Sequence, residues 1–311
     1  MTPTHDINVI CNSNLTIPAL HKLIQEGRLQ SIGISDISDD SRFYIEGMCT
    51  QLSIPFRIFT QKKLKEQMET WLYEFPCKVV VCLTFPYKIP NSVLAIPELG
   101  FINFHFAQLP EYRGASPVFW QIKNREPYGG ITLHKMDENL DTGPVIITRK
   151  LPIDADETYG MHWSKLSVEG GLIIPVLLKL IDSGKPIAGE AQTGGNYYPK
   201  PTYKDVKLDW QKNSSDELLA TIKACNPWNK GAYTFFKNKE IRIVEATVSN
   251  AFYDGSPGVP GSVHIAPDRF NFGINCIDSR FLKPEIIYTD EGFITPSSFL
   301  SMGINQKDKF H

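Results

Sequence analysis

The sequence predicts an α/β protein: a Rossmann-like, doubly wound parallel sheet followed by a small, OB-like β-barrel domain. Three observations carry this reading. Short apolar runs alternate with amphipathic stretches through roughly the first two hundred residues, the pattern of repeated strand–helix–strand units. The run from Val79 to Leu83 is apolar without a break, as a central parallel strand buried on both faces should be. Beyond Asp209-Trp210 the texture changes to short strand candidates punctuated by Pro, Gly and Asp, which suits a small barrel. A chain of 311 residues has room for two domains. The expected division is 1–188 for the α/β domain, 189–206 for a linker and 207–311 for the barrel.

Taken in order, Ile7 to Cys11 reads as the first strand. A helix follows, with Thr16 at its N-cap, Leu20, Leu23 and Ile24 on one face and Gly27 as its stop. Ser31 to Ile34 is the second strand, Ser41 to Leu52 the second helix and Ile54 to Phe59 the third strand. Lys62 to Phe75 is helical and precedes the apolar strand at Val79. A strand at Val145 to Leu151 and a long helix from Thr158 to Ile181, stopped by Gly184, complete the first half. Gly, Tyr and Pro cluster from Gly189 to Tyr203 as a connecting arm. The second half offers a short helix at Asp216 to Cys225. Strand candidates follow at Ala232 to Phe236, Ile241 to Val248, Gly261 to Ile265, Phe270 to Cys276 and Glu285 to Tyr288.

Hydrophobic content of 42% and charged content of 21% are ordinary for a soluble globular chain, and a formal net charge of −2 argues against a surface dominated by nucleic-acid attraction. The six cysteines (Cys11, Cys49, Cys77, Cys82, Cys225, Cys276) show no C-x-x-C spacing and sit mostly in apolar context. Buried free thiols in a reducing compartment are expected, with no metal site. The N-terminus lacks a charged-then-apolar signal pattern, and no apolar run approaches the roughly 18 residues of a membrane span. A cytoplasmic protein with no membrane partner is the expectation. Exposed strands in the second domain make a homodimer a candidate assembly.

No G-x-G-x-x-G follows the first strand, where the turn is Asn12-Ser13-Asn14, and no P-loop is present. The usual dinucleotide and nucleoside-triphosphate signatures are therefore missing. Chemistry concentrates instead in Asn103-Phe104-His105-Phe106-Ala107-Gln108-Leu109-Pro110-Glu111-Tyr112-Arg113-Gly114 and in Leu140-Asp141-Thr142-Gly143. Asn103 and His105, two apart in a strand-like run, leave the same strand face. Each member alone reads as turn chemistry: an Asn-x-His pair at a strand end satisfies turns, and Asp before Thr-Gly forms Asx-turns. Together they bring an amide, an imidazole and a carboxylate into reach of one another. Ser116, in Gly114-Ala115-Ser116-Pro117-Val118, is not in a nucleophile elbow, which disfavours a serine hydrolase.

This pattern resembles the signature of 10-formyltetrahydrofolate-dependent formyltransferases, roughly Asn-x-His-x-Ser-Leu-Leu-Pro-x-x-x-Gly with a later Asp-x-Gly turn. Asn103, His105, Leu109, Pro110, Gly114, Asp141 and Gly143 occupy the matching positions; Ala107 and Gln108 depart from the usual Ser and Leu. The second half resembles the C-terminal domain of methionyl-tRNA and aminoarabinose-pathway formyltransferases at Leu208-Asp209-Trp210, Cys225-Asn226-Pro227-Trp228 and Phe299-Leu300 before Gly303. The resemblance implies 10-formyltetrahydrofolate as co-substrate and Asn103, His105 and Asp141 as the catalytic trio. Formyl transfer to an amine passes through an oxyanion, which an amide N–H and a charged imidazole can stabilise while a carboxylate holds the imidazole or takes the amine's proton. A carboxylate beside the imidazole is expected to raise its pKa. Phe85, Tyr87 and Ile89 are expected to line the folate loop, and Asp137, Glu138 and Leu140 to offer backbone contacts from a second loop. Arg113, with Gly114, is placed to meet an anionic group of the acceptor, although a salt-bridged or solvated Arg fits equally. His134 and His162 read as packing or hydrogen-bonding residues.

Methionyl-tRNA formyltransferases usually carry a basic insertion after the second strand. Here the stretch from Ser35 to Arg42 is short and acidic, so it cannot supply phosphate contacts. The expected acceptor is therefore a small amine such as an amino-sugar nucleotide. Initiator methionyl-tRNA is the competing acceptor, and a non-catalytic folate or sugar-nucleotide binding protein is the alternative of another class.

Overall fold

The structure is a computed structural model that describes residues 4–37, 40–252 and 258–311; Ser38 and Asp39 of the acidic stretch lie outside them. The chain forms two compact units. The first comprises Met1–Pro117, Gly129–Pro152 and Trp163–Tyr198, and the second Val118–Tyr128, Ile153–His162 and Pro199–His311. Residues 189–198 of the expected linker thus cluster with the first unit.

In chain order the elements of the first half are β1 (Ile7–Cys11), α1 (Ile17–Gln25), β2 (Leu29–Ser35), α2 (Asp40–Leu52), β3 (Phe56–Phe59), α3 (Leu64–Glu74), β4 (Val79–Leu83), α4 (Asn91–Leu94) and β5 (Phe101–His105). They are followed by α5 (Pro117–Lys123), β6 (Tyr128–Lys135), β7 (Val145–Pro152) and α6 (Tyr159–Asp182). The sheet order is β3-β2-β1-β4-β5-β6-β7. Strands β1 to β5 pair in parallel, as expected. β6 runs antiparallel to β5, so the sheet is mixed and not wholly parallel. The reason lies in the connection: a parallel neighbour needs a crossover packed on the sheet, and α5 from Val118 onward clusters with the second unit instead.

All five residues of β1 and of β4 are buried, which explains their unbroken apolar runs. Leu64, Met68, Trp71 and Leu72 of α3 form one core cluster with Ile10, Phe59, Val80, Cys82 and Phe101, and Trp71 meets Phe59 edge-on at 5.3 Å. Thr16 stands at the N-cap position of α1 but makes no side-chain cap; its hydroxyl donates to Ser13 O at 2.7 Å. Gly27 ends the helix in the left-handed region (φ 64°). Strand order reverses between β1 and β4, which opens a crevice beyond their carboxyl ends.

The second unit contains α7 (Ser215–Cys225), β8 (Ala232–Phe236), β9 (Lys239–Ser249), β10 (Val263–Ile265), β11 (Phe272–Asn275), β12 (Phe281–Thr289), β13 (Gly292–Ile294) and α8 (Pro296–Ser301). Its antiparallel path is β10-β11-β12-β9-β8, with β13 on β12. Bridges from Lys309 to Ser262 and from Phe310 to Phe236 tie the two ends of that path together, giving the expected barrel. Trp210, Tyr233, Phe272, Phe299 and Phe310 fill its core. The short β13 and α8 escaped the sequence reading. All six cysteines are free and five are buried; burial pushes the Cys82 and Cys276 thiols up to about 12. Among the described residues no helix is long and apolar enough to cross a membrane.

Candidate active site

Residues two apart on a strand share a face, and β5 accordingly directs Asn103 and His105 to the same side, at its carboxyl end. The chain then turns so that Tyr112 adopts a left-handed backbone (φ 57°) and aims its carbonyl back at His105. His105 Nε2 lies 2.8 Å from Tyr112 O. A carbonyl only accepts, so Nε2 carries the proton. The turn after β6 brings in Asp141, also left-handed (φ 56°), a conformation an aspartate tolerates better than most side chains.

The expected trio converges. His105 Nδ1 is 3.5 Å from Asp141 Oδ2, and Asn103 Nδ2 is 3.3 Å from Asp141 Oδ1. His105 and Asp141 expose only 5% and 6% of their surface. Gly114 N–H donates to Asp141 Oδ2 at 2.9 Å. Gly114 thus supports the carboxylate directly.

A fourth member was read from the sequence only as a packing or hydrogen-bonding residue. His134 pairs with Asn103 across β5 and β6. Its Nε2 lies 3.0 Å from Asn103 Nδ2 and 3.6 Å from Asp141 Oδ1. Its Nδ1, 2.8 Å from Lys135 O, must donate; in the neutral ring Nε2 accepts from the Asn103 amide, and in the charged ring its N–H faces Asp141 Oδ1. With the ring neutral, both hydrogens of that amide are directed within the site, to His134 and, at the longer distance, to Asp141. The spacing of seven residues before Asp141 was visible, but the register that sets His134 opposite Asn103 was not.

The expected rise in the His105 pKa is corrected. Burial is the largest influence and lowers it; Asp141 opposes, yet the net direction is down. Burial pushes the Asp141 carboxyl up, but His105, His134 and the Gly114 N–H together outweigh it and hold the carboxyl below its ordinary range.

The other expected site residues fall into three groups. Ile89 and Glu138 line one cavity of about 500 Å³ together with Lys88, Pro90, Asn91 and Asn139, a size that suits a small organic ligand. Phe85 and Tyr87 do not line it; they pack on the core cluster of α3, edge-to-face at 5.5 Å against each other, and the Tyr87 hydroxyl donates to the Asp36 carboxylate. Asp137 Oδ1 accepts from Thr142 Oγ1 at 2.7 Å and from Asn139 N–H at 3.1 Å, shaping the turn, while Leu140 is 50% exposed. Arg113 donates from Nε and Nη2 to Gln192 Oε1, at 3.1 and 2.7 Å.

A mixed Rossmann-like sheet presenting an amide, an imidazole and a carboxylate at its strand ends, followed by a small barrel, is the build of a formyl-transferring enzyme. The chain belongs to the formyl transferase family: residues 7–176 match the model described as "Formyl transferase", and residues 200–299 that described as "Formyl transferase, C-terminal domain". A curated relative, the methionyl-tRNA formyltransferase of Lachnospira eligens, is 33% identical over 232 residues, covering 74% of this chain and 73% of its own. The N-formyltransferase of Helicobacter canadensis, solved in complex with folinic acid and dTDP-3-aminofucose, superposes with a TM-score of 0.68 at 17% identity over 90% of this chain and 98% of its own. WlaRD, a sugar 3N-formyltransferase solved with dTDP and 5-N-formyl-THF, gives 0.67 at 17% identity over 90% and 96%. At such identity the two solved structures speak for the fold.

Proposed function

We propose that Asn103, His105 and Asp141 transfer the formyl group of 10-formyltetrahydrofolate to the primary amine of a small acceptor, an amino-sugar nucleotide or a similar amine. The observation that carries this is the buried meeting of the imidazole and the carboxylate beside the Asn103 amide. The amine nitrogen attacks the formyl carbon, forming the new C–N bond and placing negative charge on the carbonyl oxygen. The bond to N10 then breaks, and the folate nitrogen leaves with a proton.

With Nε2 committed as donor to Tyr112 O, His105 Nδ1 is the nitrogen left to take the amine's proton, directly or through Asp141. The resulting imidazolium has an acceptor for each N–H, Tyr112 O on one side and Asp141 Oδ2 on the other. Positive charge thus arises beside the oxyanion as the oxyanion forms. The Asn103 amide is the donor assigned to the oxyanion, and its 3.3 Å bond to Asp141 is the one an oxyanion would compete for. Ile89 and Glu138, which line the cavity of about 500 Å³, are assigned to one wall of the folate site, and Phe85, Tyr87, Asp137 and Leu140, their near neighbours in the sequence, to its surroundings. Since Arg113 gives its Nε–H and one Nη2–H to Gln192, recognition of an acceptor anion is left to Nη1 and the second Nη2 hydrogen.

The acidic stretch from Ser35 to Arg42 supports a small acceptor over a tRNA, and so does the naming of WlaRD as a sugar formyltransferase and the dTDP-3-aminofucose bound in the Helicobacter canadensis enzyme. Methionyl-tRNA is the second reading, supported by the naming of the curated relative. The deciding experiment incubates the enzyme and 10-formyltetrahydrofolate with a panel holding dTDP-3-aminofucose, other amino-sugar nucleotides and initiator methionyl-tRNA, and scans product masses for an added formyl group. A formylated sugar nucleotide with no formyl-methionyl-tRNA supports the first reading. Saturable formylation of the tRNA alone overturns it.

A further inference from the structure

The turn that carries Asp141 is gripped by a side chain 51 positions further along. Gln192 Nε2 donates to the backbone carbonyls of Asp141 at 3.0 Å and Gly143 at 2.7 Å, while its Oε1 accepts from Arg113 Nε and Nη2. The neighbours leave the amide one orientation. A guanidinium only donates and a backbone carbonyl only accepts, so a flipped amide would set like against like at all four contacts.

The segment bearing Gln192 is itself fastened to both loops that flank the carboxylate. Val145 and Glu190 exchange backbone hydrogen bonds of 2.8 Å, Arg113 N–H donates to Asn196 O at 3.0 Å, and Tyr198 N–H donates to Arg113 O at 2.7 Å. The approach is close: a Cβ on Gly195 would stand 2.2 Å from Pro110 O, and one on Gly114 2.0 Å from Tyr198 O. Arg113 and Gln192 are both half-buried, and a charged donor makes their bonds the stronger kind.

We propose that Gln192 is a positioning residue for the catalytic turn: Arg113 sets the direction of its amide, and the amide pins the Asp141 and Gly143 carbonyls so that the carboxylate faces His105 and the Gly114 N–H. This rests on the assignment of Asp141 to the chemistry. It also gives Arg113 a duty inside the enzyme in addition to any contact with the acceptor.

Two full-length variants separate the two halves of the clamp. Gln192→Glu keeps a partner for Arg113 but turns oxygens toward the two carbonyls, whereas Gln192→Leu removes both interactions. The readout is the pH titration of the Asp141 side-chain carboxyl carbon by NMR, its signal identified by its loss in Asp141→Asn; no acceptor is needed. Release of the turn weakens the Gly114 and His105 contacts, so the Asp141 midpoint rises in Gln192→Leu, where no new charge contributes, and rises further in Gln192→Glu, where the added carboxylate also repels. Turnover with whichever panel amine is formylated falls roughly ten- to hundredfold, as expected for a misplacement of about an ångström, with KM for 10-formyltetrahydrofolate little changed. An Asp141 midpoint at the wild-type value in a folded Gln192→Glu or Gln192→Leu protein overturns the proposal, whatever happens to thermal stability. The underlying assignment fails separately: it falls if Asp141→Asn retains turnover, whereas a dead Asp141→Asn with an unmoved midpoint in the Gln192 variants rejects the clamp alone.

Discussion

A single methyl group at position 143 should disable the enzyme while leaving it folded. Gly143 is buried where the turn after Asp141 passes β6, and a Cβ built there would lie 1.9 Å from Lys135 O and 2.9 Å from its carbonyl carbon. Ordinary contact begins near 3.5 Å, so the turn or the strand must give way by about 1.5 Å. Neither can yield without cost to the site. Lys135 O accepts from His134 Nδ1, and the Gly143 carbonyl accepts from Gln192, so both supports of the Asn103–Asp141 geometry move together. Overpacking of this kind costs about 1–3 kcal/mol of stability, and displacement of a catalytic group by about an ångström costs on the order of a hundredfold in rate. The assay is tetrahydrofolate formation by Gly143→Ala beside its thermal melt. Gly47→Ala, at a helical position where a Cβ meets nothing within 4 Å, serves as the control. Wild-type turnover by Gly143→Ala would refute the argument that this turn places the carboxylate.

Two further expectations concern the trio. Asp141→Asn and His105→Ala should each lower formyl transfer by roughly two or more orders of magnitude with the fold intact; near-normal turnover of either variant removes that residue from the mechanism. Stability should fall in acid in two stages. The His105 pKa is lowered on folding, so the unfolded chain takes the proton first, and stability present above the ordinary value of 6.5 is lost as pH drops below it. The Asp141 pKa is also lowered, so its contribution is present above 3.8 and is lost as pH falls from there through the folded value. Melting curves of the wild type and His105→Gln against pH test the first stage: the slope just below 6.5 should shrink in the variant, and an unchanged slope would place that titration elsewhere.

What could be read from the chain, and what could not, follows from the range of the interactions involved. β1 and β4 were legible because burial on both faces leaves a plain apolar run, and α3 because its contacts repeat at helical spacing. Asn103 and His105 were legible because strand alternation alone puts them on one face. His134 joins them through a cross-strand register between β5 and an antiparallel neighbour, and a parallel sheet was expected there. Gln192 sits in a Gly- and Pro-rich arm without periodicity, and its role depends on carbonyls far away in sequence, which leave no trace in residue type. The direction of the His105 shift was missed for a similar reason: proximity of a carboxylate can be guessed from a motif, but the depth of burial that outweighs it cannot.

The fastening of the 141–145 turn by residues 189–198 bears on how the protein comes into being. During synthesis the nascent chain acquires Asn103, His105 and Asp141 well before the ribosome reaches Gln192. By then α6 has also been made. The backbone and side-chain bonds that fasten the 141–145 turn can therefore close only after residues 189–198 have been made.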